Sequence, residues 1–275
     1  MTHYVGGAVT RDLQAKLTER DWRLLQYVAG LRFVSGDQLA RLGFAEDGMS
    51  PAAARAARRA LLRLVRLDVL ARLPRPIGGV RSGSAGFVYH LGLAGQRLAT
   101  MRGWQPERRR RRSLAPGTLF LHHTLQVAEL HTRLIEADRS RRIELLELAS
   151  EPSCWRSYMM ANGQRGTLKP DSYVRLGAGD YEDSYFLEVD RGTEGSRAVE
   201  GQLRQYVAYH ASGQEQEQRG VFPMALWTAN TAGRADVIAG CVARLPVAAW
   251  GLFQVVRFDQ AIDALRASGD DSSPK

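Results

Sequence analysis

Between Thr18 and Arg102, apolar residues recur at helical spacing, and residues that cap or stop helices punctuate them. Thr18-Glu19-Arg20-Asp21 has the form of a helix cap, and Trp22, Leu25 and Val28 follow on one face. This predicts a helix to about Ala29. Val34-Ser35-Gly36-Asp37 introduces a second, short helix over 38–42, with Gly43 as its stop. Ser50 and Pro51 open a third helix over 51–68, Ser as the N-cap and Pro in the first turn. Strands are expected at 70–73 and 87–91, on either side of a loop rich in Pro, Gly and Arg, and a helix at 93–102. The first ten residues lack such a pattern and are expected to be loose.

From Gly103 the periodicity breaks: Pro106, the arginine run 108–112, Pro116 and Gly117 read as a linker. Beyond it the pattern predicts a helix at 118–138, then strands at 142–149, 153–159, 168–176 and 181–190. A helix at 195–211, a strand at 223–228, a helix at 231–243 and a strand at 251–257 complete the order. That is a mixed α/β layer pattern. The expected domains are 11–103 and 118–266, joined by a basic linker at 104–117 and followed by a disordered tail at 267–275.

Charge sharpens the division. The 275 residues carry a net charge of +9. Up to Gly117 there are 21 basic and 8 acidic residues, +13; beyond it there are 17 and 21, −4. A basic half joined to a mildly acidic one suggests that the first half meets a polyanion. Lysine is scarce, with Lys16, Lys169 and Lys275 the only three. Two distant cysteines, Cys154 and Cys241, offer neither a disulfide framework nor zinc spacing. The N-terminus lacks the apolar core of a signal peptide, and no run approaches the roughly eighteen apolar residues of a membrane span. Neither export nor membrane insertion is expected; a reducing cytoplasm is.

Three helices followed by a two-stranded ribbon is the order of a winged helix-turn-helix. At about 100° per residue, Arg55, Arg59, Arg63 and Arg66 cluster on one face of the third helix, with Arg58 nearby. Ala57, Leu61, Leu64 and Val65 lie opposite, while Leu62 interrupts the basic face. An arginine face there suits a recognition helix, and Arg75 and Arg81 stand where wing residues would meet phosphates or a minor groove. The competing reading is a solvated basic face on a helical domain that binds protein.

In the acidic half, Lys169-Pro170-Asp171 and Leu187-Glu188-Val189-Asp190-Arg191-Gly192-Thr193-Glu194 flank the turn signal Gly177-Ala178-Gly179-Asp180. A hairpin folded about Gly179 and Asp180 sets Asp171 opposite Glu188 and Lys169 opposite Asp190. All four would then share one sheet face. Paired carboxylates suit Mg²⁺, which takes oxygen ligands and can activate water against a phosphodiester. Glu129 on the preceding helix is a further candidate ligand. The alternative is a ladder of Lys169–Asp190 and Arg191–Glu188 ion pairs on an exposed face. His122, His123 and His131 share a helix without i, i+4 spacing and form no metal site.

The strings Leu121-His122-His123-Thr124-Leu125-Gln126-Val127-Ala128-Glu129-Leu130, Lys169-Pro170-Asp171, Leu187 to Glu194, and Leu203-Arg204-Gln205-Tyr206 together resemble the replication-relaxation family. The resemblance spans roughly 18–230 and implies a link to plasmid and other mobile-element DNA. The second half also resembles the restriction-endonuclease-like fold, whose motif is Pro-Asp followed by Asp/Glu-x-Lys. Pro170-Asp171 matches the first part and Glu188 the second, but Asp190 stands where that motif has lysine. Lys169 crossing into the role, an altered metal site, and loss of catalysis are the three ways to accommodate the change.

These readings converge on an α/β (mixed) protein with an N-terminal winged helix and a nuclease-like second domain. Its expected role is DNA binding in the replication, transfer or maintenance of a mobile element. One alternative is a Mg²⁺-dependent endonuclease or nickase using Asp171, Glu188, Lys169 and Asp190, with metal on Asp171, Glu188 and Glu129. Another is a winged-helix repressor. The expected partners are double-stranded DNA, with a second copy of the chain or a replication or transfer protein beside it.

Overall fold

Serine and threonine caps set where three helices of the first half begin. The computed structural model describes residues 7–45, 48–73, 86–104, 116–160 and 162–270, which fall into two compact units divided between Thr132 and Arg133. Helix α1 (Gly7–Lys16) occupies part of the stretch expected to be loose. Helix α2 (Glu19–Leu31) starts at a capping box: Thr18 N–H donates to Asp21 Oδ2 at 2.8 Å, and Asp21 N–H donates to Thr18 Oγ1 at 3.3 Å. Strand β1 (Val34–Ser35), absent from the expected elements, leads into helix α3 (Gly36–Phe44). There Ser35 and Gln38 form a second capping box. Gly43 does not stop α3 but lies inside it. A Cβ at that position would come within 2.8 Å of Leu24 Cδ2, so the glycine permits α3 to approach α2 closely.

Helix α4 (Pro51–Arg66) has Ser50 as its cap and buries Ala57, Leu61 and Leu64. Strands β2 (Leu70–Arg72) and β3 (Val88–Leu91) follow, then helix α5 (Leu93–Met101). The three strands form an antiparallel sheet in the order β1-β3-β2. Leu24, Leu25, Val28, Leu39, Leu61, Leu64, Leu70 and Leu98 fill the core.

Helix α6 (Thr118–Arg139) crosses the boundary between the units. Its first part was expected to open the second domain. It belongs to the first unit because Leu121, Leu125 and Ala128 pack there, Leu121 and Leu125 against Phe33, Leu73 and Val88.

The second unit is built on a five-stranded sheet in the order β10-β9-β8-β7-β4. Its strands are β4 (Glu144–Ser150), β7 (Ser172–Ala178), β8 (Tyr181–Asp190), β9 (Met224–Ala229) and β10 (Phe253–Arg257). The pairs β4–β7 and β7–β8 are antiparallel; β8–β9 and β9–β10 are parallel. Strands β5 (Arg156–Met159) and β6 (Arg165–Leu168) form a separate ribbon. Of the strand expected over 168–176, residues 172–176 lie in β7 and only Leu168 in β6, whose first three residues fall outside the expected strands. Pro170, which lacks an N–H, lies in the break between β6 and β7. The β7–β8 hairpin turns through Gly179, at φ +62, and its register runs from Ala178↔Tyr181 to Ser172↔Leu187 as expected.

Helix α7 (Ser196–Ala211), helix α8 (Gln214–Arg219) and helix α9 (Ala232–Ala243) complete this side. Val199, Leu203, Tyr206 and Ile238 of α7 and α9 pack with Tyr173, Phe186, Ala225 and Trp227 of the sheet, and both buried cysteines, Cys154 and Cys241, join that cluster. Glu215 of α8 is fully buried and ties the ribbon down. It accepts from Tyr209 Oη and from Arg156 Nε at 3.2 Å, and pairs with Arg219 at 3.4 Å. Helix α10 (Ala261–Asp270) continues four residues into the stretch expected as a tail. No helix among the described residues is long and apolar enough to cross a membrane.

Candidate functional site

On α4 the arginines divide into two kinds. Arg55, Arg58, Arg59 and Arg66 are exposed, and no ion pair among the described residues involves them. Arg63 is different. Its Nη2 donates to both oxygens of Asp21, at 2.6 and 2.5 Å. The Asp21 side chain is 2% exposed and the Arg63 side chain 43%. Asp21 caps α2, so Arg63 locks α4 to the start of α2. Arg75, Arg81 and the arginine run 108–112 lie outside the described residues.

In the second unit, the sequence brings acidic side chains under α7. Phe186, Glu188 and Asp190 alternate along β8 onto one face, the face packed by α7 and α9. Asp171 stands one position beyond the last ladder pair, Ser172↔Leu187, and so next to Glu188. With the ladder ended, the Asp171 carboxylate substitutes for a strand carbonyl: Val189 N–H donates to its Oδ2 at 2.8 Å. Glu188 Oε1 accepts from Tyr206 Oη at 2.6 Å. Asp171, Glu188 and Asp190 are all buried.

Burial, and secondarily the Asp171 charge, raise the Glu188 pKa well above the ordinary carboxyl range; the Tyr206 hydrogen bond opposes this. The Tyr206 phenol is in turn pushed well above 10 by burial and by Glu188. The Cys154 thiol, which donates to Pro170 O at 3.0 Å, is also raised, by burial first and then by Glu151, Asp171 and Glu188. It is a structural thiol and not a nucleophile.

Asp190 is committed elsewhere. Arg234 Nε and Nη2 donate to its two oxygens at 2.7 Å each, and Gly192 N–H adds a third bond at 2.6 Å. Lys169 is exposed, with its ammonium 4.7 Å from the centroid of the Trp155 ring. Neither Lys169–Asp190 nor Arg191–Glu188 is an ion pair among the described residues; Arg234 and Tyr206 are the partners observed. Arg234 escaped the sequence reading because it lies 44 positions from Asp190, on a different element.

A divalent cation would find oxygen donors on Asp171 and Glu188, and their mutual repulsion is the kind that a cation relieves. This donor set fits Mg²⁺ as a two-carboxylate site. Glu129 is held in the first unit, where Arg41 Nη1 donates to its oxygens at 3.0 and 2.9 Å and Gln38 Nε2 at 3.3 Å. Among the described residues no group of three or more His, Cys, Asp or Glu side chains is arranged to hold a metal. His131, also on α6, is buried, and burial lowers its pKa to about 4, so it is neutral near pH 7.

A family model described as replication-relaxation matches residues 25–225. No curated protein and no solved structure matches the chain.

Proposed function

The chain belongs to the replication-relaxation family, and on that premise we propose that it is a DNA-binding protein acting in the replication, transfer or maintenance of a plasmid or other mobile element. The observation that carries the proposal is the row of exposed arginines on α4, without acidic partners among the described residues, in a segment of net charge +13. The order of helices and strands in the first unit supports a winged helix with α4 as its recognition helix. Such a helix presents guanidinium groups to phosphates and to guanine edges. The test is a titration of labelled duplex DNA at two salt concentrations. Binding that weakens at the higher salt, and weakens further in Arg55→Ala/Arg59→Ala, is the expected result. No binding at low salt refutes the proposal.

A second reading is favoured by Asp171 and Glu188. The mixed sheet, with these carboxylates where the β7–β8 ladder ends, supports a restriction-endonuclease-like domain. Asp171 and Glu188 would hold Mg²⁺, which on binding lowers the pKa of a bound water and stabilises charge on a phosphodiester. Tyr206 orients Glu188, and the Val189 amide orients Asp171. Asp190 takes no part as a base, since Arg234 neutralises it. Plasmid incubated with Mg²⁺ or Mn²⁺ tests this reading: cleavage by the wild type and none by Asp171→Ala supports it. Equal cleavage by both indicates a contaminant and removes the reading.

A further inference from the structure

Arg72 ends β2 directly opposite Tyr89 of β3. Its guanidinium lies over the Phe87 ring at 4.3 Å from the centroid and over the Tyr89 ring at 5.6 Å. Tyr89 is fixed in the core, whereas Phe87 is 44% exposed. Residues two apart on an extended segment face the same way, so Phe87 and Tyr89 form one aromatic platform beneath the cation. Asp21 pairs with Arg63, Asp37 with Arg41 and Asp12 with Lys16. Arg72 has no acidic partner among the described residues, and its Nε is shut from solvent without a hydrogen-bond acceptor. The result is a cation immobilised on aromatic rings: its Nε is closed to an outside acceptor, and no hydrogen bond among the described residues takes up its terminal nitrogens.

We propose that Arg72 is a phosphate anchor for a nucleic-acid backbone, preorganised by Phe87 and Tyr89 at the base of the ribbon. The net charge of +13 in this segment favours a polyanion over a single acidic side chain as the partner. Stacking removes most of the rotamer freedom that a long side chain would otherwise lose on binding. This inference rests on the DNA-binding reading above, but it assigns a contact outside α4 and outside the wing tip.

The experiment compares wild type, Arg72→Gln, Arg72→Lys and Phe87→Leu for binding to labelled duplex DNA over a range of salt, with a thermal melt of each. Arg72→Gln is expected to weaken binding about tenfold and to lower the slope of log K against log salt by about 0.9, one phosphate contact. Arg72→Lys and Phe87→Leu keep the charge and lose the stack, so affinity falls about threefold with the slope unchanged. Arg72→Lys also serves if Arg72→Gln fails to fold: an unchanged affinity in that variant overturns the preorganised anchor. A folded Arg72→Gln with the wild-type slope overturns it as well, even if its affinity falls. Absence of binding by wild type at low salt refutes the DNA-binding reading itself, whereas binding that is insensitive to Arg72 refutes only this contact.

Discussion

Arg234 grips Asp190 with two parallel hydrogen bonds of 2.7 Å, and only 15% of the arginine side chain and 6% of the aspartate side chain reach solvent. The pair sets a cation beside the end of β8 but binds that cation to a carboxylate. Removing one partner of a buried pair strands the other charge, which costs about 3–5 kcal/mol. Arg234→Ala is therefore expected to destabilise the second unit by about that amount, read as a shift of the urea midpoint. Arg234→Met/Asp190→Leu should recover most of the loss. A single variant as stable as wild type would show that Asp190 finds another partner.

The two kinds of arginine on α4 should separate in a melt. Arg63→Ala takes the cation from Asp21, which stays buried at the start of α2. Because Arg63 is itself half exposed, the expected loss is about 1–2 kcal/mol. Arg59→Ala changes an exposed residue and should stay within about 0.5 kcal/mol of wild type. Thermal denaturation of both variants checks this. It also decides which arginines are fit for binding experiments, since a loss of binding in Arg63→Ala would mix folding with recognition.

Glu188 makes stability depend on pH. Its pKa is raised by burial and by Asp171, so the native state holds this proton more tightly than the unfolded chain does. The stabilisation is complete below the unfolded glutamate pKa of about 4.3 and is lost as pH rises through the folded value. Glu188→Gln keeps an acceptor for Tyr206 and removes the titration. In EDTA, its urea midpoint is expected to fall less than that of wild type between pH 5 and 8, and to exceed it at pH 8. Parallel profiles would contradict the assignment.

Glu215 is the electrostatic centre of α8 and the β5–β6 ribbon. Glu215→Ala leaves Arg156 without its carboxylate and Tyr209 Oη without its acceptor. A loss of about 3–5 kcal/mol is expected, with Glu215→Gln intermediate. Hydrogen exchange should show the largest change at Arg156–Met159, the strand that Arg156 opens.

Local chemistry was the legible part of this chain. Thr18, Ser35 and Ser50 cap helices through bonds to residues three positions away, and such spacing is visible in sequence. The β7–β8 register was legible too, because a two-residue turn at Gly179 and Asp180 fixes every pair out to Ser172↔Leu187. That register also puts Asp171 beside Glu188. Contacts across elements were not legible. No spacing connects Asp190 to Arg234, Asp21 to Arg63 or Glu129 to Arg41; only packing brings them together. A glycine that ends a helix and one that lets two helices touch look alike in sequence, and only the neighbour, Leu24, makes Gly43 the second kind. Of the ribbon β5–β6, the first strand lies within the expected 153–159, whereas β6, short and rich in polar residues, carries no strand pattern before Leu168.

Cys154 and Cys241 are both buried in the second unit, and the first has no cysteine. A thiol reagent therefore finds no target on the folded surface, and the rate of alkylation becomes a clock for the opening of the second unit alone. For the same reason, a cysteine introduced on the outer face of α4 would carry the only reactive handle on the molecule. A fluorophore placed there would report on that helix without background from the native thiols.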